Sequence, residues 1–125
     1  MKKTILALAL LAVAPVAHAV EVDQAFLNFG SQSVLTGSAE TQFVTVSNNG
    51  PQTLGPLEVQ SNCFIPDFNV SYGCTGLTLQ PNQACQIDVT FRPTHAGIYN
   101  CTIRIGAANA PGESDIQVSG QGTSP

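Results

Sequence analysis

An all-β fold, a two-sheet antiparallel sandwich of about seven strands, is what this sequence predicts. Three observations carry the prediction. Short runs of alternating apolar and polar residues recur along the chain. Clusters of Gly, Pro, Asn and Ser punctuate those runs at intervals of about 8 to 12 residues. After residue 19, no stretch shows helical periodicity.

The opening nineteen residues, MKKTILALALLAVAPVAHA, carry Lys2 and Lys3, an apolar run from Ile5 to Ala14, and the small-residue triplet Ala17-His18-Ala19. They read as a secretory signal peptide of bacterial type, cleaved between Ala19 and Val20, which leaves residues 20–125 as one stand-alone domain. The first cysteine is Cys63, so the cleavage point offers no lipid anchor, and no later apolar stretch is long enough to span a bilayer. The expected location is periplasmic or secreted.

Seven strands are expected in order. Ala25 to Phe29 is the first, and Thr41 to Ser47 the second, with Val44 and Val46 turned inward. Leu57 to Ser61 and Phe68 to Tyr72 follow. From Gln86 to Arg92, Ile87, Val89 and Phe91 share a face opposite Asp88 and Thr90; Tyr99 to Ile105 and Asp115 to Ser119 repeat that alternation. Turn chemistry separates them at Asn48-Asn49-Gly50-Pro51, Gly55-Pro56, Gln80-Pro81-Asn82, Pro93 to Gly97 and Pro111-Gly112.

Charge excludes several functions. Removing the leader removes both lysines, leaving Arg92 and Arg104 against 8 acidic residues scattered along the chain. A nucleic-acid binder needs clustered cations to neutralise phosphates, so nucleic acid and anionic membrane are poor partners. Catalysis finds no support either. A Ser or Cys nucleophile needs a base within reach, and His95, the single histidine beyond the leader, sits in a turn. A carboxylate pair could be assembled from Glu58, Asp67 or Asp88, but outward strand positions ordinarily carry such groups, and no phosphate loop opens a helix. With zero Trp and only Tyr72 and Tyr99, a glycan or small-ligand platform is the weakest of the binding readings. No enzyme, no cofactor and no metal site are expected.

Cys63, Cys74, Cys85 and Cys101 form an even set in an exported small domain, which reads as two disulfides; no C-x-x-C spacing suits zinc. Four cysteines allow three pairings, and the residues alone leave the choice open. Phe64, Ile65 and Phe68, around Pro66, are the most apolar loop cluster. Their plainer reading is a plug at one end of the core; the alternative is a partner-contact patch.

Five pieces fall in one order: Leu27-Asn28-Phe29-Gly30, Val44 to Gly50, Leu79 to Pro93, Gly97, and Val118-Ser119-Gly120-Gln121-Gly122. Together they resemble the ASH, or hydin-like, immunoglobulin-type domain, described in bacteria as choice-of-anchor D and related to the MSP and PapD-like sandwiches. That resemblance covers essentially all of residues 20–125. It implies a seven-stranded Ig-like sandwich serving as a scaffold or protein-interaction module, with another envelope or extracellular protein as partner and no catalytic residues. It also implies Cys74 joined to Cys85, flanking the short segment that contains Leu79-Gln80-Pro81, and Cys63 joined to Cys101 across neighbouring antiparallel strands. A structural subunit of a surface assembly is the alternative function. The run His95 to Cys101 further echoes the tyrosine corner of immunoglobulin domains, which places the Tyr99 hydroxyl on upstream backbone.

Overall fold

The computed structural model describes residues 20–37, 39–64 and 66–124; the expected signal peptide and Ile65 lie outside the described residues. Eight strands form: β1 (Glu21–Val22), β2 (Phe26–Ser33), β3 (Glu40–Ser47), β4 (Leu57–Ser61), β5 (Phe68–Val70), β6 (Ala84–Phe91), β7 (Gly97–Ala107) and β8 (Glu113–Thr123). One sheet runs β1-β3-β6-β5 and the other β2-β8-β7-β4.

Alternation places the core between them. Val44 and Val46 of β3 and Ile87, Val89 and Phe91 of β6 are all 0% exposed. They meet Leu27 and Phe29 of β2, Leu57 of β4, Ile103 and Ile105 of β7, and Ile116 and Val118 of β8, every one of them buried. Each such side chain contributes roughly 1.5–3 kcal/mol on leaving water. The β-branched residues at these positions suit a pleated surface, which is why short runs suffice.

Two features depart from a seven-stranded, wholly antiparallel sandwich. First, the chain's opening is split between the sheets: β1 pairs with β3 and then, within a few residues, β2 joins β8 in the opposite sheet. A two-residue strand such as β1 is too short to carry a period. Second, β2 and β8 run parallel, with Leu27 opposite Val118. Alternation specifies a strand's face and not its direction, and strands from opposite ends of a chain are free of the hairpin constraint that forces antiparallel pairing. A bulge between Asn28 and Ser31 bends β2, with Gly30 at φ 65° and its N–H donating to Asn28 Oδ1 at 2.8 Å.

Asn48, the buried polar residue at 1% exposure, ties the loop after β3 to the loop before β6. Its Nδ2 donates to the carbonyls of Gln52 (2.7 Å) and Leu79 (3.0 Å), and its Oδ1 accepts from the Gly50 N–H at 3.0 Å. Asn48→Ala takes the acceptor from the Gly50 N–H and one donor each from the Gln52 and Leu79 carbonyls, the latter keeping the Leu54 N–H at 2.9 Å, and a loss of about 1–2 kcal/mol is expected. A shift in urea midpoint at constant m measures it; a cost under about 0.5 kcal/mol would show that water reaches the loop.

Candidate interaction surface

The structure joins Cys63 to Cys101 with an S–S distance of 2.04 Å and Cys74 to Cys85 at 2.14 Å, leaving no free cysteine among the described residues. The first bridge ties the chain leaving β4 to β7, its antiparallel neighbour. The second ties the loop after β5 to the second residue of β6.

The apolar loop cluster does not form one patch. Phe68 is 3% exposed and stacks on Phe91 with ring centroids 4.8 Å apart, whereas Phe64 is 74% exposed. Phe68 is therefore core and unavailable to a partner. It opens β5, and strand alternation sends it inward while Phe64 stays in the preceding loop. Ile65 lies outside the described residues.

Tyr99 makes the corner bond: its hydroxyl donates to the His95 carbonyl at 3.0 Å and accepts from the His95 N–H at 3.1 Å. Beside it stands a grouping the sequence reading missed because its members are far apart in the chain. Asp67 Oδ1 accepts from both the N–H (2.9 Å) and the hydroxyl (2.8 Å) of Thr94, and Thr94 Oγ1 lies 3.0 Å from His95 Nδ1. With the hydroxyl proton committed to Asp67, Thr94 Oγ1 has only its lone pairs to offer the imidazole. The trio clamps the β6–β7 turn to the start of β5.

The sandwich has two flanks, and they are finished differently. On the flank where β2 passes β3, side chains occupy the edge backbone. Gln42 Nε2 donates to the Asn28 carbonyl and Gln24 Nε2 to the Phe43 carbonyl, both at 3.0 Å, while Asp23 Oδ1 accepts from the Thr45 N–H at 2.9 Å. Such caps block strand addition.

The opposite flank is open. β4 is the edge of its sheet, and the bonds from Ala108 N to Pro56 O and from Asn62 N to Thr102 O fix its parity: even-numbered residues face β7 and odd-numbered ones face away. The backbone of Leu57 is already paired on that side: its N–H donates to the Leu77 carbonyl and its C=O accepts from the Gly76 N–H, both at 2.8 Å, while its side chain stays in the core. Val59 and Ser61 turn their N–H and C=O groups to the open side. Next to them the Tyr72 hydroxyl bonds Ser61 Oγ at 2.8 Å, with Tyr72 itself 47% exposed.

On the outer face beside this edge, Gln60, Ser61, Asn62, Thr102 and Arg104 line a shallow cleft of about 240 Å³. Arg104 Nε lies 2.9 Å from Asp115 Oδ1 and 3.4 Å from Glu113 Oε1. The hydrogen bond from Arg104 lowers the Asp115 pKa, and Asp115 with Glu113 raises that of Arg104. The Asp115 contribution is thus present above the usual carboxylate pKa and lost as pH falls through its lowered value; solvent around the pair keeps it small. Glu58 and Glu113 sit across from each other on either side of Gly106, which carries no side chain to separate them.

No group of three or more His, Cys, Asp or Glu suited to a metal ion occurs among the described residues, and no helix there is long and apolar enough to cross a membrane. What the geometry defines is a disulfide-braced, immunoglobulin-like sandwich of the ASH/PapD-like type, with one capped flank and one open one. The chain belongs to the Cep192 domain 4 family, whose model matches residues 17–123. Among solved structures it is similar to the ASH/PapD-like domain 7 of human CEP192, with 16% identity, a TM-score of 0.66, and coverage of 85% of this chain and 86% of that one. It also resembles SSP-19, an MSP-domain-like protein of Caenorhabditis elegans (10% identity, TM-score 0.56, 80% of this chain, 97% of that one). A third likeness, to the Vibrio cholerae VesB protease, has 21% identity and a TM-score of 0.61 over 82% of this chain but only 31% of the protease. At these identities the likenesses establish the fold. No curated protein matches the chain.

Proposed function

We propose that the chain is an exported, non-catalytic protein-interaction module that works in the periplasm or outside the cell. The observation that carries this reading is the asymmetry of the two flanks: one is closed by its own glutamines, while the β4 flank leaves backbone groups and an aromatic side chain exposed. Edge strands left in that condition are recognition elements or liabilities. The family's fold and the two disulfides agree with a rigid extracytoplasmic scaffold.

Export agrees with the burial of the first described residue. Val20, the residue after the expected cleavage point, is 2% exposed, and its carbonyl accepts a hydrogen bond from Ser114 Oγ. Intact-mass analysis of material recovered from the periplasm should give a chain beginning at Val20 in which alkylation without reductant labels no thiol. An uncleaved, fully alkylated cytoplasmic product would sink the proposal.

The competing role, a subunit that polymerises by strand addition, is separated by size exclusion. A module elutes as a monomer at micromolar concentration and forms a specific cross-link to another envelope protein in cells; a subunit elutes as a ladder of multimers. Glycan binding has less behind it, because the Tyr99 hydroxyl is held by the His95 backbone and Tyr72 is bonded to Ser61.

A further inference from the structure

We infer that the outer edge of β4 binds an extended segment of a partner protein in which apolar residues alternate with lysine or arginine, added as a further strand beside Val59 and Ser61. The inference rests on the interaction-module reading and specifies its site and the chemistry of its partner.

Three observations converge on it. The backbone supplies the first: Val59 and Ser61 point their donors and acceptors away from β7, and the segment that pairs with Leu57 stops there. A short stretch of incoming strand can complete the ladder, giving affinity without regard to sequence. Alternation supplies the second. Residues of an added strand project by turns to the two faces of the sheet. On the inner face they meet half-buried Val59 and the ring of Tyr72, which favours aliphatic side chains.

Charge supplies the third. On the outer face they meet Glu58, which has no ion-pair partner among the described residues, with Glu113 and Asp115 beyond it sharing the single cation Arg104. The three carboxylates outnumber that guanidinium, so a lysine or arginine is favoured at the outward positions. The same charge argues against a second copy of this chain as the occupant. Pairing β4 with its own equivalent would bring two such acidic faces together, and like charges across a strand pair are destabilising.

The test uses the full oxidised chain and three fluorescent nonapeptides: one alternating Val and Lys, one alternating Val and Glu, and one with the Val/Lys composition in two blocks. The Val/Lys peptide should bind saturably by fluorescence anisotropy and at least tenfold more tightly than either control. Val59→Pro removes an N–H that makes no bond within the sheet, so the fold should persist by circular dichroism while affinity falls at least tenfold. Glu58→Lys, an exposed change, should shift the preference towards the Val/Glu peptide. Absence of saturable binding by the Val/Lys peptide, or binding indifferent to both substitutions, overturns the inference. A native partner that cross-links only through surfaces away from β4 overturns this site while leaving the module reading intact; polymerisation of the purified chain overturns both.

Discussion

Replacing Phe91 with alanine should remove about 3–5 kcal/mol of stability, the range for truncating an aromatic side chain in a core that cannot close around the gap. Phe91 is 0% exposed and stands at the centre of an aromatic cluster, its ring centroid 4.8 Å from Phe68, 5.6 Å from Phe29 and 5.5 Å from Tyr99. The backbone of β8 forms the opposing wall. A Cβ at Gly120 would fall 2.5 Å from Phe91 Cε2, so the ring fills space that a side chain would otherwise occupy. Neither wall can collapse, since one is a paired strand and the other is three packed rings. The same contact makes the prediction specific: Gly120→Ala should be destabilising alone and close to neutral in the Phe91→Ala background. A double-mutant cycle by urea denaturation reads that coupling. Additive effects, or a Phe91→Ala cost under about 1.5 kcal/mol, would show that the core repacks.

Much of the sandwich was legible from periodicity because every long strand has one wet face and one buried face. Ile87, Val89 and Phe91, or Ile103 and Ile105, announce themselves by alternation alone, and all are fully buried. The first element was harder. Glu21 and Val22 are too few to show a period, and the switch of the chain from one sheet to the other between Val22 and Phe26 is a topological event with no local signature. The parallel β2–β8 pair was invisible for the same reason: Leu27 and Val118 face the core whichever way their strands run.

The candidate site was less readable. Phe64 and Phe68 look alike in the sequence, and only the onset of β5 decides which of them enters the core. The open edge depends on which strand ends a sheet, a property of the assembled topology. Glutamines 24 and 42 carry no mark of the backbone groups they cap. Glu58 gains meaning only from the register that puts Gly106 between it and Glu113. One signal was present all along: Thr94 and Asp67 are both short polar residues beside a proline-containing turn, a combination suited to side-chain-to-backbone clamping.

Loss of the disulfides should be the second large effect, and the two should be unequal. Cys63–Cys101 closes a sequence separation of 38 and Cys74–Cys85 one of 11. In the chain-entropy account the longer loop is worth about 4 kcal/mol and the shorter about 3 kcal/mol. The paired substitutions Cys63→Ala with Cys101→Ala, and Cys74→Ala with Cys85→Ala, test this by urea midpoint. The account is overturned if the shorter loop proves costlier, which would point to packing instead, since Cys74 is 0% exposed within the core and its replacement leaves a gap there. Removing both bridges approaches the whole stability of an ordinary domain, about 5–15 kcal/mol, so the fully reduced chain should be at best marginally folded. Its circular dichroism should lose the sheet signal in dithiothreitol and regain it on reoxidation. A reduced chain that keeps a cooperative melt near that of the oxidised form would remove the physical link between this fold and an oxidising compartment. With that link goes the main structural support for export. The β4 edge depends on the longer bridge, because Cys63 anchors to β7 the chain just beyond Ser61; losing that bridge should therefore weaken peptide binding at β4 before the sheet itself melts.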